Sequence, residues 1–285
     1  MSVPASLKCG PHTTLLLIKK RYLFFYIFLI WISIFSIQFE FWLIWKLYKP
    51  NETIFIRFLV LLPLLIFLMY ITSIVVSLIF AKIFLVIVNI IHKPKEGVFL
   101  KTPSNKDYRY WCIRSIIKKW PLWLSHKFPF PFIDNICLKL FGIKTRYSNS
   151  LFEGFIDTEF IEFGKNVIIG QAALIQSAVI VGNLFILKRT VLEDNVMVGA
   201  HSIVMPGTYM KKNSILAGSS MTTVGQVLDE DFIYMGAPAK KYKKNVFFED
   251  GLEDEIKKQF KKKAISTVKY EDLYTVRKDK DTQIN

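Results

Sequence analysis

The chain carries four histidines and three cysteines in 285 residues, and only one histidine, His201, falls in its patterned C-terminal half. Imidazole ionises near neutral pH, so a histidine projecting from an ordered surface suits removal of a proton from a hydroxyl or an amine. Asp157, Glu159, Glu193 and Asp194 are the carboxylates placed to orient it. Together with Glu153 they also have the ordinary reading of turn and edge charges. Cys9, Cys112 and Cys137 are too scattered for a metal-ligand set or a staple, and they point to a reducing compartment.

A surface that presents His201 must come from the pattern around it. Apolar residues recur every six positions at Phe163, Ile169, Ile175, Val181 and Leu187. After the loss of one residue the series resumes at Leu192, Val198, Val204, Met210, Leu216 and Thr222. Four positions further on the residue is small or β-branched: Val167, Ala173, Val179, Ser202, Thr208, Ser214 and Ser220. A period of six fits neither 3.6 residues per turn nor simple strand alternation. Gly164, Gly170, Gly182, Gly199 and Asn195 follow the apolar position, where turns are needed. Because Val198 and Ser202 point inward, His201 projects outward.

The segments Phe163-Gly164-Lys165-Asn166-Val167, Val198-Gly199-Ala200-His201-Ser202, Val204-Met205-Pro206-Gly207-Thr208 and Leu216-Ala217-Gly218-Ser219-Ser220 resemble the hexapeptide-repeat acyltransferase family. Met235-Gly236-Ala237-Pro238-Ala239-Lys240 resembles the ending at which such enzymes leave their coil. The resemblance implies a left-handed parallel β-helix of triangular section, a known exception among crossovers. It also implies a homotrimer with catalytic grooves between protomers, and acyl-CoA or a carrier thioester as cosubstrate, with no permanently bound cofactor. His201 would be the base; turn amides of Ala217, Gly218 and Ser219 would hold the pantetheine arm, and Lys240 and Lys241 its phosphate. The ordinary alternatives are a histidine bonded across a subunit seam, a glycine turn and a solvated basic tail. Many relatives carry their histidine upstream, in a His-Pro-x-His stretch that has no counterpart here. No metal is expected, since three copies of an outward residue do not meet unless they lie on the threefold axis. Asp157-Thr158-Glu159-Phe160 with the following hexads also resembles the β-helix region of polylysine-synthetase-like nonribosomal peptide synthetases.

The other half of the chain is of a different kind. Basic residues number 38 against 23 acidic, a net charge of +15, with 52% apolar residues and a mean hydropathy of +0.32. Disorder, collagen and a secreted disulfide scaffold are excluded. Leu23 to Leu47 is long enough to cross a hydrocarbon layer of about 30 Å, and it lacks a small-residue cleavage site. Gln38 and Glu40 fall in its second half, near an interface marked by Trp42, Trp45, Lys46, Tyr48 and Lys49. A second apolar stretch runs from Ile54 to Ile91, spanning from about Phe58 to Phe80. Its remainder continues to the interface, where Lys82 snorkels and Lys93 and Lys95 meet headgroups. Lys8, Lys19, Lys20 and Arg21 before the pair, and Lys93, Lys95 and Lys101 after it, put both ends in the cytoplasm.

The domain reading is therefore a basic N-terminus over 1–21, two transmembrane helices over 22–92, an interfacial connector over 93–150, the β-helix over 151–245 and a helical basic tail over 246–285. In the connector, Tyr108, Tyr110, Trp111, Trp120, Trp123 and Phe128 interleave with Lys118, Lys119 and Lys127, which suits a membrane surface better than nucleic acid. Pro121, Pro129 and Pro131 break it into short helical pieces. The fold class is thus a membrane-anchored β protein: a transmembrane hairpin, a left-handed parallel β-helix and a C-terminal helix. The expected function is acyl transfer to a hydroxyl or amine of a small-molecule acceptor at the cytoplasmic face of the cell membrane, with membrane lipid as a partner. The rival is a non-catalytic trimeric scaffold.

Overall fold

The computed structural model describes residues 20–48, 52–130, 132–151 and 154–245. The basic N-terminal residues Lys8 and Lys19, Glu153 and the tail over 246–285 lie outside the described residues. Helix α1 covers Leu23–Tyr48 and α2 covers Glu52–Ile91. Both contain a stretch long and apolar enough to cross a membrane, Leu23–Leu47 and Phe58–Ile91. Past Phe80, α2 continues unbroken through Lys82 to Ile91. That lysine donates to the Leu140 carbonyl at 2.6 Å, so a helix C-terminus holds it. Between the two helices the Thr72 hydroxyl donates to Glu40 at 2.8 Å.

From Lys144 onward the chain winds into a parallel β-helix with three walls. One wall stacks Ile161–Phe163, Thr190–Leu192, Tyr209–Met210 and Val227–Leu228. A second stacks Ile168–Ile169, Met197–Val198, Ile215–Leu216, Phe232–Met235 and Lys240–Lys244, and a third Phe155–Ile156, Leu174–Ile175 and Ile203–Val204. Tyr209 pairs in parallel with Val191 below and Val227 above, so three hexads make one turn. Leu192, Val198, Val204, Met210, Leu216 and Thr222 point inward and are buried. The small inward position works because its hydroxyls find carbonyls: Ser202 donates to Ala217, Thr208 to Met205 and Ser214 to Lys211, each at 2.7 Å.

The corners explain the remaining pattern. Asn195, His201, Asn213, Ser219 and Asp231 all adopt positive φ, between 55° and 58°, with Gly207 and Gly225 at the intervening places of the same six-residue series. Asparagine tolerates this region better than most residues. Here its amides also stack, with Asn166 donating to Asn195, Asn195 to Asn213 and Asn213 to Asp231. Gly164, Gly170 and Gly199 have another reason for being glycine. A Cβ on them would lie 2.4 to 2.6 Å from an atom of the next rung. They are required by stacking, not by the turn.

One part of the six-residue series is not coil. Phe163 pairs directly with Leu192, with eleven more residues between them than one ordinary turn needs. The extra length is an antiparallel hairpin, Ala178–Val181 with Leu184–Leu187, and Val181 is 56% exposed on it. Strand alternation has a period of two, which divides six, so a hairpin continues the hexad count without belonging to it. Its second strand pairs with Gly97–Leu100 of the connector, Gly97 facing Leu187 and Leu100 facing Leu184.

The connector is more compact than short pieces lying in an interface plane. Helix α3 runs over Lys106–His126, capped by Asn105, whose side chain accepts from the Tyr108 amide at 3.1 Å. It passes through Pro121, which is buried, and ends only before Pro129. Packing on both faces holds the turn around that proline, which removes a single backbone donor. One face meets the apolar pair: the Trp120 indole donates to Ser33 at 3.0 Å, and Tyr70 donates to the Leu124 carbonyl at 2.8 Å. The other meets the hairpin, with the Trp111 and Phe185 ring centroids 4.5 Å apart. Helix α4, Phe132–Leu140, follows and closes the lower end of the coil with Leu138 in its core.

Candidate active site between the connector helix and the coil

Arg114 and Lys118 stand one turn apart on α3, so both reach the same point of the coil. That point is the corner Asp157-Thr158-Glu159. Arg114 donates to the two Glu159 oxygens at 2.7 and 3.2 Å, and Lys118 donates to the carboxylate at 2.9 Å and to the Thr158 carbonyl at 3.1 Å. Arg114 and Lys118 are only 2% and 3% exposed, so these are interior charges rather than headgroup contacts. Burial alone would push the Glu159 carboxyl up, but Lys118 and Arg114 hold it below the usual carboxylate range. Burial pulls the Lys118 ammonium down, against the pull of Glu159.

Asp157, two residues away, has no such cation within bonding distance. Burial pushes its carboxyl up to about 6, while the Ser177 and Ala178 amides, at 2.9 and 3.2 Å, act in the other direction. Because the folded state holds this proton to higher pH than the unfolded chain, the associated stability is complete below about pH 4. It is lost as pH rises through about 6. Asp157→Asn keeps an acceptor oxygen and cannot ionise. Relative to the parent, the variant is expected to gain about 2 kcal/mol between pH 4 and pH 7, read from thermal midpoints at the two pH values.

His126, the last residue of α3, meets Asp134 in the first turn of α4, with Nδ1 and Oδ2 2.8 Å apart. The turn after His126, through Pro129, sends α4 back and brings the two together. The Asp134 side chain is 7% exposed and the His126 side chain 37%. A carboxylate that accepts from Nδ1–H fixes the tautomer and leaves the basic lone pair on Nε2. The ring lies 5.8 Å from that of Phe155, whose strand leads straight into Asp157.

These groups line one cavity of about 220 Å³. Its polar lining includes Lys118, Lys119, His126, Asp134, Asp157 and Ser177, and its apolar lining Trp111, Ile116, Leu122, Trp123, Leu138 and Phe155. The arrangement joins an oriented imidazole, a carboxyl that burial pushes up to about 6 and an apolar wall. It can abstract a proton from a bound hydroxyl or amine and return it. The two described cysteines do not favour thiolate chemistry, since burial pushes Cys112 up to about 12 and Cys137 up to about 11.

The residues singled out in the sequence lie elsewhere. His201 sits exposed on a corner of the coil, its amide donating to Gln171 at 2.9 Å. The corner of the next turn is Gly218-Ser219, where the Ser219 amide donates to Ala200 at 2.9 Å, so His201, Gly218 and Ser219 form one edge. The Ala217 and Ser219 amides are both spent on the ladder, Ala217 donating to Tyr234 at 2.8 Å, and neither is available to a pantetheine arm. Lys241 is held by Asp229 at 3.1 Å and lies over the Phe232 ring at 3.5 Å, whereas Lys240 is exposed. None of the four carboxylates suggested as orienting groups serves His201. Glu193 bonds Tyr209 and the Lys212 amide, Asp194 bonds the Lys165 amide, and Asp157 and Glu159 bond within the cavity. His126 and Asp134 escaped sequence reasoning because they flank a proline break. The available signal was the Arg114/Lys118 spacing on an aromatic helix, which calls for a buried acid.

No family model matches this chain, and no curated protein does. Among solved structures, a galactoside acetyltransferase in complex with coenzyme A is 13% identical with a TM-score of 0.40, covering 54% of this chain and 92% of its own. A hexapeptide-repeat acetyltransferase from Vibrio cholerae O1 biovar eltor, complexed with acetyl coenzyme A, is 16% identical with a TM-score of 0.37, covering 50% and 91%. A maltose O-acetyltransferase from Clostridium difficile 630 is 15% identical with a TM-score of 0.35, covering 44% and 82%. The resemblance to nonribosomal peptide synthetases gains no support from these structures.

Proposed function

We propose that this protein is a membrane-anchored acyltransferase, moving an acyl group from a CoA or carrier thioester to a hydroxyl or amine. The observation that carries this reading is the His126–Asp134 pair at 2.8 Å, opening on the same cavity as Asp157. His126 Nε2 takes the proton of the acceptor as its oxygen or nitrogen bonds to the acyl carbon. The C–S bond then breaks, and the departing thiolate receives that proton from the imidazolium. Lys118 keeps one N–H after its bonds to Thr158 and Glu159, a donor suited to the oxyanion. The two apolar helices anchor the chain, with both ends on the cytoplasmic side as loop basicity directs. Left-handed winding and a trimer belong to the same reading, on the strength of the hexad sequences. In that trimer the donor lies along the edge bearing His201, Gly218 and Ser219, with Lys240 meeting its phosphate.

Release of thiol from acyl-CoA by full-length protein in detergent tests this. His126→Ala is expected to lower the rate by about 10² to 10⁴, the usual worth of a positioned acid–base group, measured below the variant's own melting temperature. Asp134→Asn is expected to lower it less and to shift its pH profile. If His201→Ala abolishes release while His126→Ala leaves it intact, the base is on the edge and the cavity assignment fails. If no thiol is released under any condition, the coil is a scaffold.

A further inference from the structure

The cavity is built for a particular kind of acceptor. Its apolar part lies on α3, the helix whose other face is bonded to the two apolar helices through Trp120–Ser33 and Tyr70–Leu124. Trp120 and Trp123 stack at its side with centroids 5.2 Å apart, and Trp123 both lines the cavity and is 51% exposed. Paired indoles mark the level at which hydrocarbon gives way to headgroups. At the polar end, Lys118 is committed to Glu159. Lys119 also lines the cavity, is half-buried and has no carboxylate partner among the described residues. A half-buried cation beside an apolar wall, with no carboxylate bonded to it among the described residues, favours an anionic group on a bound molecule.

Resting on the acyltransferase reading, we infer that the acceptor is an anionic membrane amphiphile, its hydrocarbon chain against Leu122, Trp123, Leu138 and Phe155 and its acidic head on Lys119. The chain enters past the exposed Trp123, and the head group's hydroxyl or amine then lies beside His126 and Asp157. A soluble sugar or amino acid would leave the apolar wall unfilled.

Photolabelling tests the binding without requiring turnover. Full-length protein in phosphatidylcholine nanodiscs is irradiated with a fatty acid carrying a diazirine near the end of its chain, and the adducts are mapped by mass spectrometry. Adducts are expected on Leu122, Trp123, Leu138 or Phe155. Dodecyl phosphate should displace them about tenfold better than dodecylamine, since a desolvated charge-assisted bond is worth about that factor. Lys119→Gln should erase the preference. Ser115→Trp, which fills the cavity from α3, should remove the adducts, and if that variant does not fold the Lys119 result decides alone. Adducts confined to the outer faces of α1 and α2 would overturn the inference. So would displacement by inorganic phosphate as effective as that by dodecyl phosphate, which would make the site one for a free anion. Cavity adducts without thiol release keep the amphiphile site and remove the reaction. Thiol release onto water-soluble acceptors without cavity adducts does the reverse.

Discussion

Replacing Glu159 by alanine is expected to destabilise the protein by about 3–5 kcal/mol, because it leaves Arg114 and Lys118 buried with no counter-charge. Both cations are inside the protein, and Glu159 is the carboxylate bonded to both of them. The measurement is the denaturant or thermal midpoint in detergent, compared with two further variants. Glu159→Gln retains a bonding oxygen without the charge and should lose nearly as much. A triple replacement, Arg114→Met, Lys118→Met and Glu159→Leu, should recover most of the loss, since a buried ion cluster exchanged for apolar groups of similar volume is often neutral. If the single variant melts like the parent, the cluster is solvated and does not join the connector to the coil.

Gly199→Ala is expected to cost about 3 kcal/mol, the upper end of the range for an over-filled interior. The added carbon would stand 2.4 Å from the Gly218 nitrogen and 2.7 Å from the Ala217 carbonyl carbon. Both atoms are backbone, and neither can swing aside as a side chain would. The control is Gly218→Ala, where the closest atom is the Ala200 oxygen at 3.4 Å, an ordinary contact. That variant should stay within about 0.5 kcal/mol of the parent. Equal effects from the two would mean that rung spacing, rather than residue identity, tolerates the difference.

Much of this architecture was readable before any coordinates. The inward column from Leu192 to Thr222 follows from spacing alone, because every sixth side chain must occupy the same interior line. The two apolar helices follow from length and composition. The hairpin was hidden by arithmetic: Val181 and Leu187 satisfy a count of six while belonging to strands of period two. The site was hidden by chemistry that acts across distance. Sequence spacing places His201 on an outer corner correctly, but cannot show that Glu193 and Asp194 are already occupied by neighbouring rungs. Nor can it bring His126 to Asp134 across a proline break, or Arg114 to a carboxylate forty-five residues away.

The strand Gly97–Leu100 finds its partner about ninety residues downstream, in Leu184–Leu187. It leaves the ribosome long before that partner exists. A nascent chain therefore holds an open sheet edge until most of the second turn of the spiral has been made, and slow synthesis through this region prolongs its exposure to neighbouring chains.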